Sequence, residues 1–437
     1  MKNYKFILLL LLVGTLATTS CKKYVEGVND DPNTFTDAPA SLIVGHAQMA
    51  AIGIAESQAS RSAGVFTDQF TGSLSQFIPL DRYDTSTGDY DAMWVIMLYE
   101  GGAQAKIAME KAATEGLPQV EGISEILYAY AMGETAILFG DIPYSEAFND
   151  EIRNPKYDQQ DVVLTDVIAK LENALTKVQA NKATNVAFVD NSFNWVEVAH
   201  SLKARYYLAM KDYDNALIEA QAGISSAAGD LLSLHEDISG KKNMYYQFCA
   251  EQRNGNMTAN GSGTNAGSGS TMYRWLSNRP SGLLTPGDLV RRATYFDGMD
   301  INTSDYFAVD ASYPIISWVE TKLIEAEAAQ RTGGDALTPF NDVRNYLATK
   351  YAALFPATAS TGAQLLTEIL EEKYLSLPGG LQVFQDIRRT DNLIGVQIKK
   401  NGATSIPQRF LYPEAEINAN ENFPGLVDLF TKTRINQ

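Results

Sequence analysis

The stretch WVEVAHSLKARYYLAMKDYDNALIEAQAG, residues 195–223, carries the reading of the fold. Trp195, Ala199, Leu202, Tyr206 and Met210 recur at spacings of three and four. Tyr213, Leu217, Ala220 and Ile224 do the same after a break at Lys211-Asp212. That is the period of an amphipathic helix, stated twice around a short turn. Ala204, Ala216, Ala220 and Gly223 supply small side chains that let two helices approach closely. Tyr207 and Tyr213 supply rings to fill the groove between them.

These positions fall at the spacings of a tetratricopeptide repeat. A looser copy runs from Trp318 to Tyr346, turns at Gly333-Gly334, and places Ala336 and Phe340 in its second helix. Outside the two copies the helical period persists. Leu164, Val167, Ile168, Leu171, Leu175 and Val178 form one apolar stripe, with Asp166, Lys170, Asn173 and Lys177 opposite. Residues 123–138 are apolar on more than one side, as a helix enclosed by others would be. Further stripes run through Val319, Leu323 and Ala326, and through Leu366, Ile369, Leu370 and Tyr374. No long stretch alternates with a period of two. The expectation is an all-α, mostly helical protein: a tetratricopeptide-like helical-repeat scaffold with long irregular loops.

Composition narrows the function. The chain has 437 residues, 45% hydrophobic and 20% charged, which is globular and excludes a collagen, a fully disordered chain or a multi-span membrane protein. Its formal charge is −17, from 35 Lys+Arg against 52 Asp+Glu. Such a surface repels phosphate backbones and anionic lipid, so no nucleic acid partner is expected. Two cysteines, Cys21 and Cys249, leave no disulfide scaffold or cysteine-rich zinc site. The three histidines show no H-x-x-x-H spacing, so neither metal nor cofactor is expected.

The N-terminus reads as an address. Lys2 and Lys5 precede the apolar run Phe6–Val13, small and hydroxyl residues reach Ser20, and Cys21 follows. The run is too short to span a bilayer. It has the charged, apolar and small-residue regions of a secretory signal, here residues 1–20. A cysteine directly after such a signal resembles a bacterial lipobox, whose thiol is lipidated. The alternative is an ordinary signal followed by a chance cysteine. Residues 21–40, with Asn29-Asp30-Asp31-Pro32-Asn33, read as a tether, and residues 41–437 as a single domain.

Two segments break the helical pattern. Residues 66–93 scatter Phe66, Phe70, Phe77, Tyr83 and Tyr90 among polar residues. Residues 254–282, NGNMTANGSGTNAGSGSTMYRWLSNRPSG, are too polar and glycine-rich for core. Both read as loops, and loops this long on a compact body are functional or disordered. The glycine-rich run lacks G-x-x-x-x-G-K-[ST], so it is no phosphate cradle, and there is no G-x-S-x-G elbow. Asp81, Asp84, Asp89 and Asp91 have no EF-hand order and read as a solvated loop rather than a calcium site. Lone Cys249 reads as a buried thiol.

Three further segments resemble one family. Phe139-Gly140-Asp141-Ile142-Pro143-Tyr144-Ser145-Glu146-Ala147 is similar to the GDIPYSEA segment of SusD/RagB-like outer-membrane lipoproteins. ILEEKYLSLPGGLQVFQDIRR, residues 369–389, resembles that family's paired helices. Residues 406–416, IPQRFLYPEAE, resemble its C-terminal P-x-R-x-x-Y-P-x-x-E segment, with Asn418, Asn420 and Asn422 beyond. Within these segments Asp141, Arg388, Arg389, Arg409 and Glu416 are expected to hold helix ends and buried ion pairs rather than ligand.

The resemblance implies a non-catalytic, cell-surface binding protein, lipid-anchored to the outer membrane through Cys21 and facing the exterior. It implies delivery of an oligo- or polysaccharide to a SusC-like TonB-dependent outer-membrane barrel. A surface-anchored glycoside hydrolase and a helical-repeat adhesion or scaffold protein remain the alternatives, because paired carboxylates for hydrolysis need not be close in sequence. Sugar rings have apolar faces and polar edges, so a binder needs flat aromatic platforms beside hydrogen-bonding groups. Phe77, Tyr83, Tyr273 and Trp275 are the expected platforms, with Arg274 and Asn278 as polar partners. Trp94, Trp195 and Trp318 lie in helical stripes and read as core. If Trp275 is a platform, Trp275→Ala weakens binding and barely moves the melting temperature; if it packs the loop onto the body, the reverse holds.

Overall fold

The computed structural model describes residues 38–179 and 192–437. The signal, the tether and Cys21 lie outside the described residues, apart from the tether's last three. Residues Ala40–Gln437 form one compact unit. Its centre is the helix Pro118–Phe139, which is buried continuously from Gly122 to Phe139. Pro118 opens it at a position whose N–H would have no helical partner. Helices Ala40–Glu56, Gln104–Glu115 and Gln160–Leu175 and the π-helical stretch Val95–Ala103 pack around it. Gly133 is required there, because the Tyr206 ring comes within 2.5 Å of where a β-carbon would stand. The Tyr206 hydroxyl donates to the Ala129 carbonyl at 3.1 Å.

Both repeat hairpins form. Trp195–Ala209 and Tyr213–Ala222 turn at Lys211, whose φ is +64°, and Asp212 caps the second helix by accepting from the Asn215 N–H at 3.2 Å. Trp318–Thr332 and Leu337–Lys350 turn at Gly333, which is left-handed at φ +80°. Ala336 stands one residue before the second helix rather than within it, while Phe340 is inside and buried. The hairpins stack through helix Tyr213–Ala222 on helix Trp318–Thr332. Ala204, Leu208, Ala216, Ala220, Ile324 and Ala328 form the seam between them. Trp94, Trp195 and Trp318 are core residues.

The two irregular segments are more structured than their composition predicts. Residues 66–93 contain the short helices Phe77–Asp81 and Asp91–Trp94 and the 3-10 turn Thr87–Tyr90. Residues 254–282 contain helix Thr271–Trp275. Elements of four or five residues are too short to display a period of 3.6, which is why they read as loop. The segments also meet. Strand Thr71–Gly72 pairs antiparallel with Met257–Thr258, in register Thr71 to Thr258. The four-stranded sheet continues through Asp300–Ile301 to Phe296–Asp297. No described strand exceeds four residues.

Candidate functional site

The union of those two segments creates a cavity of about 610 Å³. Beyond helix Gln58–Phe66 the chain reverses at Asp68, φ +52°, and enters strand Thr71–Gly72. The Gly72 N–H donates at 3.0 Å to Asp81, which ends helix Phe77–Asp81 and is thereby held against the strand. Lys399 forms the floor. Its ammonium donates to Asp81 at 2.6 Å and to the carbonyls of Val65 and Phe70, both at 2.9 Å, and stands 3.2 Å from Asp68. Burial raises the Asp68 pKa, against the pull of Lys399 and of Thr271, which donates to it. At the rim Lys400 donates to Asp84 at 2.7 Å.

The opposite wall is the glycine-rich run. The Gly261 N–H donates to the Thr71 hydroxyl at 3.0 Å, and the Ser73 and Thr258 hydroxyls share a hydrogen bond of 2.6 Å. Ser262 contributes a buried hydroxyl that has no partner among the described residues. Asn260 and Asn401 complete the walls, and no aromatic ring lines this space. The lysines pair with the carboxylates beneath, and the exposed Arg82 side chain lines the same space, so the cavity offers hydroxyl and amide groups beside a guanidinium. Such a surface suits a hydroxyl-rich solute, and both carboxylates that line it are held by lysines.

The expected site residues are not brought together around one space. Phe77, Tyr83 and Trp275 are only 4%, 2% and 5% exposed, so none presents an open ring face. Phe77 lies 4.9 Å from the Phe248 ring. Tyr83 sits between Phe66 and Phe430 and donates to the Phe66 carbonyl at 3.3 Å; burial raises its pKa. Trp275 packs 5.3 Å from Tyr374. Tyr273 is half-buried, edge-on to Phe296 at 5.7 Å, with the Arg292 guanidinium 4.7 Å from its centroid. Arg274 fastens the glycine-rich run by donating to the Gly269 carbonyl at 3.1 Å and to Thr271 at 3.0 Å. Asn278 is exposed beside a separate cavity of about 210 Å³. Of the four acids, Asp89 accepts from the Ser86 N–H at 2.7 Å and Asp91 from the Ala415 N–H at 3.1 Å, while Asp81 and Asp84 belong to the lysines. The residues missed were Lys399, Lys400, Asn260 and Ser262. Asn260 and Ser262 lie in the glycine-rich run already read as a loop, and the one signal for Lys399 and Lys400 was the short polar run Lys399-Lys400-Asn401 before Gly402.

Comparison with protein families matches residues 32–413 to the SusD-like family described as starch-binding and associating with the outer membrane. The chain belongs to the SusD-like family. Solved SusD-like structures share the fold. A SusD homologue from Bacteroides fragilis superposes with a TM-score of 0.68 at 17% identity, over 92% of this chain and 100% of that one. A SusD/RagB family protein from Bacteroides thetaiotaomicron gives 0.64 at 18% identity, over 88% and 95%. A chitin-binding protein gives 0.67 at 17% identity, over 91% and 99%. No curated protein matches the chain significantly. Among the described residues no helix is long and apolar enough to cross a membrane.

In this SusD-like chain the family segments hold the scaffold together and stand apart from the cavity. Arg409 donates to the Phe139 carbonyl and lies over Gly140, whose φ of +93° with ψ −128° is open mainly to glycine. This is a different backbone region from the left-handed cap common just past a helix end. Tyr412 donates to the Asp141 carbonyl at 2.8 Å. Arg389 pairs with buried Glu327 and with Asp386, to which Lys373 also pairs at 2.9 Å. Glu416 accepts from Asn420 at 2.8 Å.

Proposed function

We propose that this SusD-like chain captures a nutrient glycan at the cell surface and passes it, without hydrolysing it, to a SusC-like TonB-dependent barrel. Cys21 carries the lipid that anchors it to the outer membrane, and the body faces the exterior. The supporting observation is the cavity of about 610 Å³, walled by hydroxyl and amide side chains over lysine-neutralised acids. It lies where Thr71–Gly72 meets Met257–Thr258 and has the size of a small-molecule site. Family membership supports both the glycan and the outer-membrane setting.

The test is a binding screen of purified residues 22–437 against a polysaccharide panel, with product analysis of each binder. Binding without turnover supports the reading. Release of shorter sugars replaces it with a hydrolase, and the absence of any binder with no co-purifying barrel replaces it with an adhesion or scaffold role.

A further inference from the structure

Across the short helix Phe77–Asp81 from the polar cavity lies a second one, of about 330 Å³. Its wall includes Arg61, Ser62, Phe77 and Phe248. Arg61 is an oddity. Helix Gln58–Phe66 holds its guanidinium 4.4 Å from the centroid of the Phe248 ring. One terminal nitrogen donates to the Glu56 carbonyl at 3.1 Å, and the buried Nε has no acceptor among the described residues. Among the described residues no carboxylate forms an ion pair with Arg61; its recorded partners are the Glu56 carbonyl and the Phe248 ring. Burial pulls its pKa down, and Tyr245, Cys249 and Glu56 oppose that only in part.

Ser62, one residue on, is 1% exposed, and its hydroxyl also has no partner among the described residues. Two adjacent donors without acceptors thus line one space. Water can satisfy a hydroxyl but brings no negative charge to a half-buried guanidinium. Phe248 itself belongs to the π-helical turn Gln247–Gln252, a rare element that recurs at functional sites.

We propose that this cavity receives the carboxylate of an acidic sugar residue on Arg61 and Ser62, so that the captured glycan carries uronic acid units; this rests on the glycan-binding reading above. The planar guanidinium fork matches a carboxylate. A single negative charge fits better than a phosphate, because Asp84 and Asp89 stand in the same wall. Asp84 is paired with Lys400 at 2.7 Å, whereas Asp89 accepts from the neutral Ser86 N–H at 2.7 Å and keeps its charge, so the wall takes one incoming negative charge on Arg61 and disfavours two. The Gln76 amide and the Gln58 side-chain oxygen face ring hydroxyls, while Gln58 Nε2 donates to the Asp89 carbonyl at 3.1 Å, and the edges of Phe77 and Phe248 give an apolar side.

Calorimetry on the chain from residue 22 tests this with polygalacturonate, alginate and hyaluronan, each beside its carboxyl-reduced form. The expected result is that at least one acidic polymer binds and that carboxyl reduction weakens it at least tenfold. Arg61→Gln should weaken the acidic form by roughly ten- to hundredfold, the scale of a hydrogen bond to a charged group, and leave the reduced form unaffected. Ser62→Ala should give a smaller loss in the same direction. Equal affinity for acidic and reduced forms, or binding of neutral glycans alone, overturns the inference and leaves the glycan-binding reading standing. So does displacement of the polymer by acetate or sulfate at equal concentration, which marks a general anion site. Failure of every glycan, acidic or neutral, overturns both. Should Arg61→Gln not fold, carboxyl reduction and Ser62→Ala decide the matter.

Discussion

Arg388 donates from one guanidinium nitrogen to the Ile137 carbonyl at 3.0 Å and from another to the Gln408 carbonyl at 2.9 Å. One side chain thereby ties helix Leu381–Arg389 both to the end of the central helix and to the C-terminal segment. Among the described residues no carboxylate pairs with it directly. Burial, together with the nearby Arg409, holds its pKa down at about 9. Arg388→Leu removes the donor and strands two buried carbonyls, each costing about 1–3 kcal/mol. The expected result is a loss of about 3 kcal/mol in urea unfolding, with ligand affinity per folded molecule unchanged.

Trp275→Ala should now behave as a core truncation. The ring is buried against Tyr374. Truncations of this kind cost about 3–5 kcal/mol. Thermal unfolding should show that loss, while affinity per folded molecule stays constant. A weaker affinity at unchanged melting temperature would return Trp275 to the binding surface.

Asn260→Ala and Ser262→Ala address the polar cavity directly. Neither side chain supports the core. Each hydrogen bond lost to a ligand should cost about 0.5–1.5 kcal/mol of affinity, read by titration calorimetry, with melting temperature unmoved. Unchanged affinity in both variants and in their double mutant would move the site elsewhere.

Asp230 makes stability depend on pH. It accepts from the Trp318 N–H at 2.6 Å at the start of the second repeat hairpin. Burial raises its pKa from the ordinary aspartate value of 3.8 to about 7, against the pull of that N–H and of Lys350. An acid whose folded pKa is raised favours the fold in its protonated form. Its contribution is therefore fully present below about pH 4 and is lost as pH rises through about 7. Asp230→Asn should flatten that part of the melting-temperature profile, gaining stability at pH 8 relative to pH 5 when compared with the parent chain.

Cys21→Ser should release the protein from membranes into the soluble fraction. Mass spectrometry of the native chain should find lipid on Cys21. A membrane-bound variant together with an unmodified native Cys21 would remove the anchor from the proposal.

The helical scaffold was legible because its apolar stripes are long. Eight or more residues at a period of 3.6, as in Trp195–Ala209 and Gln160–Leu175, leave no second reading. The structural role of Arg388, Arg389 and Arg409 was legible as well, since arginines in a helical core need partners. The binding surface was not. Tyr83 and Trp275 look alike in sequence whether they stack on a sugar or on Phe66 and Tyr374, because aromatic burial is set by what arrives from elsewhere in the chain. The lysine that floors the cavity lies more than 300 positions from the aspartates it holds, and no local pattern announces such a meeting.

That separation bears on how the protein matures. The Gly261 N–H reaches the Thr71 hydroxyl across 190 positions of sequence, whereas each repeat hairpin closes within about thirty. Loop-closure entropy delays distant contacts, so the hairpins should assemble early and the cavity should be among the last features to close. Capture of ligand then reports completed folding: a chain arrested on its way through the envelope would be helical by circular dichroism yet blind to its cargo. Ligand present during refolding would speed only the final phase.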